Sequence, residues 1–180
     1  MQVSKTPIEG LLVIHPKVFQ DERGYFYEPY NKKTFNEAGI TDEFVQDNQS
    51  CSQKDVLRGL HFQNPPYVQS KLLRVVQGSI LDVAVDIRKS SPTYGKYYEI
   101  VLSAKNKTLF YVPAGFAHGF LTLEDHTVLM YKCSGFYNKA AEDALIWNDP
   151  DIHINWGVSN PILSEKDKNA KKIKDFKSMF

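Results

Sequence analysis

Between Ile80 and Ile87 the side chains alternate without a break. Leu81, Val83, Val85 and Ile87 fall on one side, and Ile80, Asp82, Ala84 and Asp86 on the other. Successive side chains of a strand point to opposite faces, so this run is a strand with one apolar face and one mixed face. Carboxylates on the mixed face require water or a polar site there. The run Lys71–Val76 precedes it across Gln77-Gly78-Ser79, a connection of hairpin length, and the two runs are expected to pair antiparallel. Further β-rich stretches lie at Tyr97–Ser103, Thr108–Val112 and Thr127–Cys133, with Ala104–Lys107 as a turn. This spacing predicts a mainly β chain, a sandwich or jelly roll. Helical signals are confined to two places. One is Lys33–Ala38, followed by Gly39. The other is the tail from Ser164, where a hydroxyl cap precedes Asp167 in the first turn. The lysines from Lys166 to Lys177 read as a solvated face.

A chain of 180 residues with no linker or repeat fits one domain, 1–180. Its net charge of +1 offers no electrostatic footprint for nucleic acid. Leu11-Leu12-Val13-Ile14 is too short to cross a bilayer, and no leader pattern opens the chain, so no membrane partner and a cytoplasmic location are expected. Cys51 and Cys133 form neither a CxxC pair nor a disulfide framework.

Two short segments carry chemistry. Arg58 and His61 stand three residues apart inside the apolar run Val56–Gln63. A guanidinium suits phosphate, and an imidazole exchanges protons near neutral pH. Strict alternation would point them to opposite faces, so a shared site requires Gly59 to permit a bulge or twist, or Arg58 to reach around the strand end. The second segment is Pro113-Ala114-Gly115-Phe116-Ala117-His118, a PxGxxH turn similar to the second motif of the cupin superfamily. Many cupins hold a metal with an HxH pair and an acidic residue in the first motif. Here Gly59 and Gln63 flank the single His61, and Lys71 stands where a carboxylate ligand would be wanted. A lysine opposes divalent-metal binding, so no metal is expected. His15, His126 and His153 read as spectators.

Removing a proton beside a carbonyl needs a base, a group that stabilises the enolate oxygen and an acid that returns the proton. His61, Lys71 and Tyr131 offer that set, although Tyr131 also fits a core aromatic with a satisfied hydroxyl. Arg23 and Glu28, on either side of Gly24, fit the decoration of a surface turn as well as they fit ligand contacts.

Eight segments then carry a specific resemblance: Asp21–Gly24, Phe44–Asn48, Leu57–Gln63, Lys71–Gly78, Asp82–Arg88, Pro113–Phe120, Tyr131–Cys133 and Leu163–Asp167. Together, and in order, they resemble the dTDP-4-dehydrorhamnose 3,5-epimerase family. The resemblance implies a cupin jelly roll with short peripheral helices. It further implies a homodimer that acts without cofactor on dTDP-4-keto-6-deoxyglucose. It makes His61 the base, Tyr131 the acid and Asp167 the carboxylate partner of the base. Arg58 becomes the diphosphate ligand, Arg23 and Glu28 nucleotide-side contacts, and Gln46 and Asn48 groups lining the base and sugar region. Lys71 and His118 would line the sugar, and Glu142 and Lys166 match further binding positions. Tyr137 fits either a stacking residue near the site or an interface or core aromatic. An epimerase inverting C3 alone, a ketoisomerase, a metal-dependent oxygenase and a non-catalytic sugar-binding cupin are the alternatives. Ser70, where many members have glycine, and Phe62, often tyrosine, depart from the family pattern without removing a proposed catalytic group.

Overall fold

The computed structural model describes residues 1–180. The strands are β1 (Gln2–Lys5), β2 (Leu12–His15), β3 (Phe19–Asp21), β4 (Gly24–Phe26), β5 (Gln46–Ser52), β6 (Leu57–Gln63) and β7 (Lys71–Gln77). They continue as β8 (Ser79–Asp86), β9 (Tyr97–Ser103), β10 (Leu109–Val112), β11 (Phe116–Thr122), β12 (Thr127–Cys133) and β13 (Glu142–Ala144). Two short α-helices complete the list, α1 (Lys32–Glu37) and α2 (Glu165–Lys168), with a single 3₁₀ turn at Ile173–Asp175. A six-stranded sheet, ordered β1-β2-β10-β7-β12-β5, faces a five-stranded sheet, ordered β13-β6-β11-β8-β9, and β3 and β4 form a separate hairpin. This is a jelly roll, one of the two architectures left open by the strand spacing and the one that the resemblance implies.

Alternation along each strand builds three apolar layers. Leu73, Val75, Phe110 and Leu129 of the larger sheet meet Ile80, Ala84, Leu102, Phe116 and Phe120 of the smaller one to form the interior. Leu81, Val83 and Val85 turn outward, where Ile152, Trp156, Ile173 and Phe176 of the C-terminal segment cover them. Burying a side chain of this size contributes about 1.5–3 kcal/mol. The mixed face of β8 is therefore the interior one, and its apolar face is buried by the tail. On the outer face of the larger sheet, Ile14, Leu72, Leu109 and Tyr111 pack under Phe35 and Ile40. The helix α1 begins where Asn31 Oδ1 accepts from the amides of Lys33 and Thr34, and it stops at Gly39, whose φ is +86°.

Two expectations are corrected. The runs containing β7 and β8 do not pair with each other. β7 lies between β10 and β12, and β8 between β11 and β9. Gly78, at φ +74°, packs against Thr127 and turns the chain from one sheet into the other, so a connection of hairpin length serves as a corner. The tail is likewise not one helix. α2 ends after a single turn at Asn169, because Ile173 and Phe176 must reach the outer apolar layer while Lys166, Lys168 and Lys171 each pair with a carboxylate. No helix is long and apolar enough to cross a membrane.

Candidate active site

The interior closes with apolar side chains at one end and opens at the other into a polar cleft between the sheets. Two connected lobes of about 480 and 290 Å³ share His61, Lys71 and Tyr131, within the size range of small-molecule sites. The first lobe adds Gln46, Asn48, Tyr137 and Glu142. The second adds Arg58, His118, Lys166 and Asp167. Ten of the twelve sequence-predicted residues thus line one cleft; Arg23 and Glu28 do not.

A bulge in β6 settles the parity of Arg58 and His61. Across the ladder to β11, His61 faces His118 and Arg58 faces Phe120, with a register shift between the two pairs. Three steps on β6 are matched by two on β11, so β6 carries one extra residue and both polar side chains turn inward. Leu57, Leu60 and Phe62 turn outward into the layer under the C-terminal segment. Gly59 makes this possible: its φ is +146°, and a Cβ there would lie 2.5 Å from the Gly119 Cα. Of the two routes open from sequence, the bulge is the one taken. Arg58 Nε and Nη2 each donate to Ser52 Oγ at 3.2 Å, which aims the guanidinium along the second lobe.

His61 Nε2 lies 2.5 Å from Asp167 Oδ1. A carboxylate can only accept, so Nε2 carries a proton, and in the neutral ring the other nitrogen is the one with the lone pair. Asp167 is held in turn by Ser164, whose hydroxyl donates to Asp167 Oδ2 at 2.8 Å and accepts from the Asp167 amide at 3.1 Å. One hydroxyl therefore both caps α2 and orients the carboxylate. Burial pushes the Asp167 pKa up, but the hydrogen bond and charge of His61, the Ser164 hydroxyl and the charge of Lys166 outweigh it, and the net shift is downward.

Tyr131 and Lys71 come from the opposite sheet. Burial first, then the neighbouring Cys133, raise the Tyr131 pKa, while Asn48 and Arg58 lower it less, so the phenol keeps its proton well into alkaline pH. Lys71 donates to the His61 carbonyl oxygen at 3.4 Å, and burial lowers its pKa against the pull of Cys133, Asp82 and Glu142. His118 is buried, with Nε2 2.9 Å from Asp82 Oδ1, and burial lowers its pKa below the usual imidazole range. At the mouth, Gln46 Nε2 donates to Asn48 Oδ1 at 3.0 Å and Gln46 Oε1 accepts from the Tyr137 amide at 3.0 Å. The Tyr137 hydroxyl donates to Glu142 at 3.0 Å, and Glu142 also pairs with Lys166. No group of three or more His, Cys, Asp or Glu is placed to hold a metal ion.

Arg23 and Glu28 stand elsewhere. Arg23 is bound to Asp21 on the exposed β3–β4 hairpin, whose Tyr25 lies under Lys107. Glu28 borders a separate hollow with Lys17 and Phe35. Gln63 and Gln69 were missed by sequence reasoning. Their amides donate to the carbonyls of Phe136 and Gly135 and so hold the loop that carries Tyr137. Their only signal was a glutamine at the end of β6 and another just before β7.

A cleft of this make-up has counterparts among known proteins. Residues 5–175 match the family model described as dTDP-4-dehydrorhamnose 3,5-epimerase. A dTDP-4-dehydrorhamnose 3,5-epimerase of Shigella flexneri is 54% identical, with 97% of each chain covered. The solved structure of a Legionella pneumophila dTDP-6-deoxy-D-glucose-3,5-epimerase, in complex with dTDP-4-keto-L-rhamnose, is 44% identical at a TM-score of 0.94. It covers 98% of this chain and 94% of its own. A 3'-monoepimerase of Streptomyces bikiniensis, in complex with dTDP-quinovose, is 34% identical at a TM-score of 0.89, with 94% and 86% covered. With a matched family model that spans nearly the whole sequence and relatives at this identity, the chain belongs to the dTDP-4-dehydrorhamnose 3,5-epimerase family.

Proposed function

We propose that this enzyme inverts C3 and C5 of dTDP-4-keto-6-deoxyglucose through enolate intermediates. The observation that carries the reading is the His61–Asp167 pair on one side of the cleft with the Tyr131 phenol on the other. The C4 ketone acidifies the hydrogens on both neighbouring carbons, so one base can remove either after a modest shift of the ring. His61 takes the proton with the ring nitrogen that Asp167 leaves free, and the carboxylate stabilises the imidazolium so formed. Lys71 faces the developing enolate oxygen. Tyr131 returns a proton to the opposite face, which inverts the centre. Arg58, with its fork of donors, holds the diphosphate. Gln46 and Asn48 contact the sugar and base, and Tyr137, at the rim, stacks on the base. His118, Glu142 and Lys166 shape the sugar end.

All the groups this route needs are side chains, so it runs without metal or organic cofactor. In this reading the whole chain, 1–180, acts as one domain in the cytoplasm.

The reading also includes a homodimer. Phe19, Tyr25 and Phe26 on the strands of the β3–β4 hairpin are exposed, and such an apolar surface is suited to packing on a second copy. Arg23 and Glu28, remote from the cleft of their own chain, then act as nucleotide contacts by reaching the cleft of the other copy. Identification of the product of dTDP-4-keto-6-deoxyglucose by proton NMR tests the reaction. dTDP-4-keto-L-rhamnose supports it, whereas a product inverted at C3 alone would place the chain with the monoepimerases.

A further inference from the structure

Asp82 is fully buried at the centre of β8, opposite Phe120 of β11 and on the face that looks into the cleft. Its Oδ1 meets His118 Nε2 at 2.9 Å, but its Oδ2 has no hydrogen-bond partner although it too is buried. A buried carboxylate oxygen without a partner is costly unless a fixed positive charge lies nearby. Lys71 enters the same interior from the facing sheet and lines the same lobe as His118, the partner of Asp82, and its charge interacts with that of Asp82.

The other groups facing Lys71 do not balance it. Glu142 on β13 is already paired with Lys166 and accepts from Tyr137. Cys133 on β12 is buried, which pushes its thiol pKa up and keeps it neutral. Tyr131 on β12 is held protonated by burial, and Asp167 on α2 is paired with His61. His61 on β6 and His118 on β11 contribute either no charge or an opposing one, and Arg58 adds a further cation to the lobe. Asp82 is the carboxylate left over, and its attraction for Lys71 acts against the desolvation of the ammonium.

We propose that Asp82 is a positioning residue of this enzyme: it supplies the buried counter-charge that keeps Lys71 a cation inside the cleft, and it fixes the orientation of the His118 ring. It touches no substrate itself. Its effect on turnover rests on the role given to Lys71 above, whereas its effect on the charge of Lys71 does not. Without Asp82 a lysine buried beside Arg58 and two imidazoles would shed its proton at a lower pH. The enolate oxygen would then meet a neutral amine over part of the working range.

The experiment is a titration of Lys71 by NMR on protein labelled with ¹⁵N at lysine Nζ, with the resonance assigned through Lys71→Arg. The wild type and Asp82→Asn are compared without substrate, and Asp82→Glu serves as the conservative rescue. The expected result is a Lys71 midpoint lowered by about one pH unit or more in Asp82→Asn and largely restored in Asp82→Glu. The alkaline limb of the kcat profile should move the same way, with KM little changed. An unshifted Lys71 midpoint in a folded Asp82→Asn protein would overturn the proposal, even if activity fell. A shifted midpoint with an unmoved kcat profile would leave the counter-charge in place and instead overturn the role assigned to Lys71 in the reaction.

Discussion

His61 and Asp167 are 106 residues apart in the chain, yet His61 Nε2 and Asp167 Oδ1 meet at 2.5 Å. The contact depends on the tail crossing the cleft after Ser164, which holds the carboxylate from the far side. It joins the single turn of α2 to β6, so the fold and the proposed base are completed by the same segment.

Asp167→Asn keeps the shape of that contact but removes the charge. Turnover should fall by about 10²-fold or more, since an amide neither stabilises the imidazolium nor imposes the same tautomer. Stability should respond as well, with a definite sign. The Asp167 pKa in the folded protein lies below its ordinary 3.8. Its contribution is therefore present in full above that value and is lost as pH falls through the lower folded-state value. Thermal melting of the two proteins should differ near neutral pH, and the difference should close below about pH 4.

Tyr131→Phe removes the phenol and leaves a ring that still packs on the interior layer. Proton abstraction by His61 should persist, while inversion slows by about 10²-fold, the usual worth of a positioned acid. Comparing solvent exchange with formation of the inverted sugar on the same sample separates the two steps.

Gly59→Ala tests the bulge. The new methyl group would have to occupy space 2.5 Å from the Gly119 Cα at a φ of +146°. Strain and overpacking together should cost about 3 kcal/mol or more in denaturant unfolding. Any protein that folds should bind the diphosphate poorly, because the inward turn of Arg58 depends on that extra residue.

Phe26→Asp on the exposed hairpin should weaken self-association. Light scattering across a dilution series should show a dimer for the wild type and a shift toward monomer for the variant. The shift should be accompanied by a raised KM if Arg23 and Glu28 act across the interface.

Much of this was legible in the sequence, and the reasons differ by element. β12 falls at Thr127–Cys133, as its run of β-formers predicts, and the alternation in β8 identified the inward face that carries Asp82. The conflict between the spacing of Arg58 and His61 and strict alternation left two routes open, a bulge or twist at Gly59 or a reach of Arg58 around the strand end, and only the packing of Gly59 against Gly119 decides between them. Sheet membership was not legible. A two-sheet fold makes Gly78 a corner, and nothing local distinguishes a corner from a hairpin. The tail misled for a related reason: its lysines suit a helix, but burial of Ile173 and Phe176 fixes its path. The placement of Arg23 and Glu28 away from the cleft depends on tertiary geometry that their turn-like surroundings do not encode.

The central claim is that one base, His61, removes protons at two carbons. Its most direct test is deuterium wash-in from heavy water into dTDP-4-keto-6-deoxyglucose, followed by proton NMR for the wild type and His61→Asn. The account predicts loss of both the C3 and C5 proton signals with the wild type and retention of both with His61→Asn. Near-normal exchange by His61→Asn would place the base elsewhere, and no exchange by the wild-type enzyme would contradict the epimerase reading itself.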